Sequence, residues 1–180
     1  PDGIGIVWAG RRLGYPFEER VSGIDLLYLI CERAPQEGWK IYFLGAAPGI
    51  ADEAARQLTQ KYPAINICGI HDGYFSEEQQ QSMLEEIKAL QPDILFVALG
   101  APGQEYWIHK YRQAIEVPVA IGVGGSFDVI AGIKSRAPEW MIRANLEWLY
   151  RLLKEPSRLK RQMALPKFVL LILRHSLYKN

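Results

Sequence analysis

The chain has 180 residues, enough for one domain with an appendage, and 49% of them are hydrophobic, enough for a sizeable core. Its net charge of +1 conceals an asymmetry: Ile133 to Asn180 hold eleven Lys/Arg against three Asp/Glu, a net +8, whereas Pro1 to Gly132 hold ten against seventeen, a net −7. The longest charge-free apolar run near the end, Phe168 to Leu173, is far short of the roughly 20 residues needed to span a bilayer, which excludes a spanning helix there.

The first apolar run, Ile4 to Ala9, predicts a buried strand. Glu18 to Ala34 has helical periodicity, with Val21, Ile24, Leu27, Tyr28 and Cys31 on one face and Ser22 or Gly23 as a later start. Lys40 to Leu44 reads as a strand, and the turn Gly45-Ala46-Ala47-Pro48-Gly49 leads into a helix over Ile50 to Tyr62. A strand over Ile65 to Gly69 precedes a helix over Ser76 to Leu90, whose Ser76-Glu77-Glu78-Gln79 start is a capping box. Ile94 to Leu99 is a strand ending in Gly100-Ala101-Pro102-Gly103-Gln104-Glu105, and Glu105 to Ile115 is helical. Val117 to Val123 is a strand that runs into Gly124-Gly125-Ser126-Phe127-Asp128. Strands alternating with helices predict an α/β, Rossmann-like, mainly parallel sheet with helices on both faces.

From about Ile133 the strands stop. Pro138 suits the first residue of a helix reaching to about Lys154, and Pro156 and Pro166 divide the rest of the tail into short pieces. The expected organisation is an α/β body over residues 1–132 and a basic, bent helical appendage over 133–180. Cys31 and Cys68 lack metal-ligand spacing and read as buried reduced thiols of a cytosolic protein. His71, His109 and His175 show no ligand spacing either, so no metal site is expected.

Three glycine-containing turns follow strands: Gly45 to Gly49, Gly100 to Gln104 and Gly122 to Gly125. In an open α/β sheet, ligands bind beyond the carboxyl ends of the strands, where helix starts offer free N–H groups to phosphates. Every βα unit needs a tight turn, so a purely structural role stands beside the phosphate reading. None of the turns is Gly-x-Gly-x-x-Gly, which disfavours a dinucleotide cofactor. Gln104 and Glu105 at a helix start suit either capping or contact with a ligand's hydroxyls or phosphates. Asp2 reads as part of a frayed terminus or as a carboxylate base, and Arg20 as a solvated charge or a phosphate clamp. Arg151, Lys154, Arg158 and Arg161, spaced three, four and three apart and interleaved with aromatics, suit a lipid headgroup layer, stacked bases or plain packing.

These motifs, taken together, resemble the WecG/TagA/CpsF glycosyltransferases of bacterial cell-envelope synthesis. The resemblance is carried by Pro1 to Gly5, Phe43 to Gly49, Leu99 to Glu105, Gly122 to Asp128, Arg136 to Trp140, Leu146 to Leu152 and Glu155 to Arg158. It implies an inverting hexosyltransferase that needs no cofactor or metal. The implied donor is a UDP-sugar, UDP-N-acetylmannosamine in the teichoic-acid branch, and the implied acceptor is N-acetylglucosamine on undecaprenyl diphosphate, a polyprenyl-diphosphate lipid. It makes Asp2 the base. Arg20 and Gln104 match polar residues of the family's site. The three glycine turns place the expected donor along Gly45, Gly100, Gln104, Gly124 and Asp128, with Glu105 a further substrate contact, and Arg151, Arg158 and Arg161 match basic positions of the family suited to diphosphates. The appendage is expected to bind an anionic membrane surface peripherally, on the inner face of the cell membrane, with a homo-oligomer as a further partner and no nucleic acid. In the family a further segment, carrying Thr and Asn positions near the site, precedes the Asp-Gly motif at which this sequence opens; the resemblance carries nothing over for them. A nucleotide-binding oxidoreductase and a non-catalytic membrane- or nucleic-acid-binding module are the other readings of the same residues.

Overall fold

The computed structural model describes residues 2–156, Leu159 and 163–178. Four strands, β1 (Lys40–Gly45), β2 (Asn66–His71), β3 (Ile94–Ala98) and β4 (Val119–Gly122), form one sheet in the order β2-β1-β3-β4. All three pairings are parallel, as the alternation of elements predicts. Helices α2 (Gly23–Glu37), α3 (Ile50–Lys61), α4 (Glu77–Leu90), α5 (Gly103–Ile115) and α6 (Ser126–Ile130) surround it. Further helices among the described residues are α1 (Ile4–Arg12), α7 (Glu139–Arg143), α8 (Glu147–Lys154) and α9 (Ala164–Tyr178). By internal contacts the chain forms two units, Gly23–Ser135 and Pro1–Ser22 together with Arg136–Asn180. The first holds fourteen Asp/Glu against eight Lys/Arg, and the second thirteen Lys/Arg against six Asp/Glu.

The sheet is covered on both faces because successive side chains of a strand point to opposite sides. Ile41 and Phe43 of β1, with Ile94 and Phe96 of β3, pack on Leu27 and Cys31 of α2, Ala54 and Leu58 of α3, and Phe127 of α6. Tyr42 and Leu44, with Leu95 and Val97, face Met83 and Ile87 of α4 and Trp107 of α5. The Phe43 and Phe127 rings stack at 4.7 Å. Cys31 is buried, which pushes its thiol up to about 12, and neither cysteine is in a disulfide. The capping box at Ser76 is present as read: Gln79 N–H donates to Ser76 Oγ (3.2 Å) and Ser76 N–H to Gln79 Oε1 (2.8 Å).

Three local expectations are corrected. Ile4 to Ala9 is helical, not a strand, because a short apolar run fits a buried helix as well as a strand. In α1, Val7 and Ala9 are buried while Ile6 and Trp8 are exposed, and Arg11 and Arg12 complement the C-terminal dipole. Pro138 caps α7 from outside, and the helix expected to reach Lys154 breaks at 144–146, where Asn145 adopts φ 58°, a left-handed conformation that Asn tolerates. Pro166 does not divide the tail. It lies in the first turn of α9, where its missing N–H has no helical partner to lose.

Gly45 ends β1 at φ 119°, and a Cβ there would stand 2.5 Å from the carbonyl carbon of Ala98. No L side chain fits that approach, because the obstacle is backbone of the neighbouring strand. Gly45→Ala combines backbone strain with overpacking and should cost on the order of 3 kcal/mol, read as a lower urea midpoint.

Candidate active site

In the α/β unit, the sheet order reverses direction between β1 and β3: the chain leaves β1 toward β2 and returns to β3 on the other side. Such a switch point opens a crevice at the carboxyl ends of the strands. Here the loops that leave those ends are tied to one another and to the end of β3 by backbone bonds. Ala46 N–H donates to Ala98 O (2.9 Å), Gly73 N–H to Ala46 O (2.8 Å) and Val123 N–H to Val97 O (2.8 Å). The turns at Gly45, Gly100 and Gly124 therefore meet at one edge, with the starts of α3 and α5 opening there.

Gln104, in the first turn of α5, is buried to 5% exposure. Its Oε1 accepts from Gly124 N–H (2.9 Å), and its Nε2 donates to Glu105 Oε1 (2.9 Å). The two partners fix which way the amide points, since one offers only a donor and the other only an acceptor. Gln104 thus braces the glycine turn after β4. Gly122 makes room for it, because a Cβ there would lie 2.3 Å from Gln104 Nε2 and 2.7 Å from its Cδ. Asp128, in α6, turns toward Lys134 (3.6 Å), and its carbonyl accepts from Ile133 and Lys134 N–H.

In the other unit, Asp2 is exposed just ahead of α1 and makes no ion pair or hydrogen bond among the described residues. Arg20 Nη2 donates to Glu147 Oε2 (2.7 Å), and Arg151 Nη2 donates to Glu147 Oε1. The Glu147 side chain is 3% exposed, against 17% for Arg20 and 50% for Arg151. Burial by itself raises a carboxyl's pKa, but the hydrogen bonds and charges of Arg20 and Arg151 outweigh it and hold Glu147 below the usual carboxylate range. Glu147 is therefore ionised at neutral pH. Arg158 and Arg161 lie outside the described residues.

A family model described as glycosyl transferase WecG/TagA/CpsF matches residues 1–180. The chain belongs to the WecG/TagA/CpsF glycosyltransferase family. A Bacillus spizizenii (strain W23) protein named N-acetylglucosaminyldiphosphoundecaprenol N-acetyl-beta-D-mannosaminyltransferase is 42% identical over 97% of this chain and 67% of its own length. Proteins of the same name from Bacillus subtilis (strain 168) and Staphylococcus aureus (strain MW2) are 39% and 38% identical, over 100% and 93% of this chain and 70% and 65% of their own lengths. The chain is accordingly a hexosyltransferase.

In this glycosyltransferase the particular roles of two residues, Glu147 and Gly122, are visible only in the fold. Glu147 has a readable signal, the i, i+4 pair with Arg151, but its contact with Arg20 joins positions 127 residues apart and is tertiary. Gly122 looks like one more turn glycine until Gln104 is seen lying across it. Gly122→Ala should push the buried Gln104 amide off Gly124 and shift the turn. Displacements of about 1 Å near a reacting centre cost up to roughly 10²-fold, so glycosyl transfer should fall by ten- to a hundredfold. Circular dichroism of the variant should remain that of the folded protein.

Proposed function

We propose that the chain transfers N-acetylmannosamine from UDP-N-acetylmannosamine to N-acetylglucosamine on undecaprenyl diphosphate, with inversion at the sugar's anomeric carbon, during synthesis of a cell-envelope polymer such as teichoic acid. The observation that carries this reading is the chain-long similarity to three proteins named for that acceptor and that sugar. The strand-end turns at the β1/β3 switch point support a nucleotide-sugar donor, since helix starts and glycine backbone suit a diphosphate.

In this scheme Asp2 is the base. Its carboxylate takes the proton of the acceptor hydroxyl as that oxygen bonds to the anomeric carbon. The bond from that carbon to the diphosphate breaks, and UDP leaves with the electron pair. Arg20 and Arg151 offer guanidinium donors to a diphosphate, and no metal ion enters the scheme. A positioned base contributes typically ~10²- to 10⁴-fold. With labelled UDP-N-acetylmannosamine and a lipid-diphosphate acceptor, Asp2→Asn should cut turnover by that order and spare UDP binding. Turnover should persist in chelator. Undiminished turnover in Asp2→Asn removes Asp2 from the role, and activity lost in chelator and restored by magnesium overturns the metal-free scheme.

Among the described residues no helix is long and apolar enough to cross a membrane. We infer peripheral attachment to the anionic inner face of the cell membrane. The unit rich in Lys/Arg supports it, as does α9, which exposes Leu165, Leu170 and Leu171. Cations near such a surface contribute about 1 kcal/mol each, and apolar side chains settle at the headgroup boundary. Replacing Leu170 and Leu171 with Ser should lower the fraction that sediments with phosphatidylglycerol vesicles, while sedimentation unchanged at physiological salt counts against α9 as the contact.

A further inference from the structure

The Arg20–Glu147–Arg151 cluster has a geometry that stability alone does not explain. One buried carboxylate receives a single donor from each of two guanidiniums, one on each oxygen. A guanidinium has five N–H donors in a rigid fork, and a pair built for strength would use two of them on one carboxylate. Among the described residues, each arginine spends only one on Glu147, and neither has another hydrogen-bond or ion-pair partner. The carboxylate is also the most enclosed member, at 3% exposure, while half of the Arg151 side chain is open to solvent. Two cations brought to the two oxygens of one carboxylate repel each other, and a single negative charge offsets only part of that. The cluster carries a net +1 with unspent donors, so it is electrostatically complete only when another anion arrives. Buried ion pairs are weak stabilisers and are often replaceable by apolar residues, so stability is a poor reason to keep one.

We propose that Glu147 is a positioning residue, whose buried carboxylate holds the Arg20 and Arg151 guanidiniums side by side so that both turn their remaining donors to one phosphate or diphosphate group. Glu147 does not touch the anion. It fixes the separation and tilt of two planar groups whose long side chains would otherwise keep much of their rotamer freedom. Its place in the first residue of α8, a favourable end for a carboxylate, keeps it ionised there. Its depressed pKa agrees with that role. This deepens the reading above by naming what prepares its anion site, and rests on that reading only for which diphosphate is bound.

The test uses the full chain and inorganic pyrophosphate, measured by calorimetry. Glu147→Gln keeps the shape of the side chain and removes the charge. Positioning predicts at least roughly tenfold weaker binding, within the range of coupling energies for residues in one network. It also predicts no further loss when Glu147→Gln is added to an Arg20→Gln, Arg151→Gln double variant. Unchanged or tighter binding in Glu147→Gln overturns the proposal, tighter binding meaning that the carboxylate competes with the anion. If Glu147→Gln does not fold, side-chain nitrogen NMR of the unaltered protein decides. Arg20 and Arg151, assigned through Arg20→Lys and Arg151→Lys, should show hindered guanidinium rotation before pyrophosphate is added and shift together when it is. Free rotation beforehand, or no shift, refutes the role. Pyrophosphate carries neither sugar nor lipid, so failure of the transfer assay with the chosen sugar and acceptor leaves this outcome unaffected.

Discussion

All four strands run in one direction, and that constraint shapes the α/β unit. A parallel strand cannot be re-entered by a hairpin, so each connection must climb back along a face of the sheet, which is why helices cover both sides. It also sends every carboxyl end to the same edge. Where the chain reverses its order between β1 and β3, the connections diverge and leave a crevice between them. The close passage of Gly45 over Ala98 is the local condition for that arrangement, since the loops after β1 and β3 must leave adjacent strands without a side chain between them.

A second level of order lies in the polar groups that hold the loops once they have diverged. Gln104 is buried with both ends of its amide engaged, so the turn at Gly124 is fixed by a side chain from the preceding βα connection. A buried amide left unpaired would cost about 1–3 kcal/mol, which gives the brace a definite direction. The loops at this edge are therefore mutually supporting: backbone bonds tie the loop after β2 to that after β1, and the loops after β1 and β4 to the end of β3, while Gln104 also braces the one after β4. Such preorganisation suits a glycosyltransferase, which must hold its reactants in place while a sugar moves.

The basic unit follows a different logic. Its cations are in excess, and its most enclosed carboxylate serves two of them. Among the described residues, Glu53 with Arg56 and Glu139 with Arg143 pair within one helix and largely in solvent, and pairs of that kind contribute little. Glu147 is set apart by burial and by the sequence distance of its Arg20 partner. The apolar side chains that α9 leaves exposed are set apart in the same way from an ordinary core helix, whose leucines would be covered.

The sequence by itself determined the α/β class, the parallel sheet, the positions of four strands and the glycine turns after three of them. It could do so because a buried parallel strand is a short apolar run, a helix is a periodic one, and the alternation of the two leaves one architecture. The capping box at Ser76 was equally legible, since its residues are adjacent in the chain. What only the tertiary structure decided were the matters that local pattern leaves degenerate. Ile4 to Ala9 fits either a strand or a helix, and packing on α9, where Gly5 lies against Phe168, takes the helix. Pro166 forbids a helix interior but not a first turn, and where the turn starts is not written in the proline. The split at Asn145 and the true neighbours of Gln104 and Glu147 are likewise contacts across sequence distance. Glu147 became a functional candidate, and Gly122 gained a particular role within its turn, only when residues 127 and 18 positions away were found beside them, because a side chain's role depends on what folding brings to it.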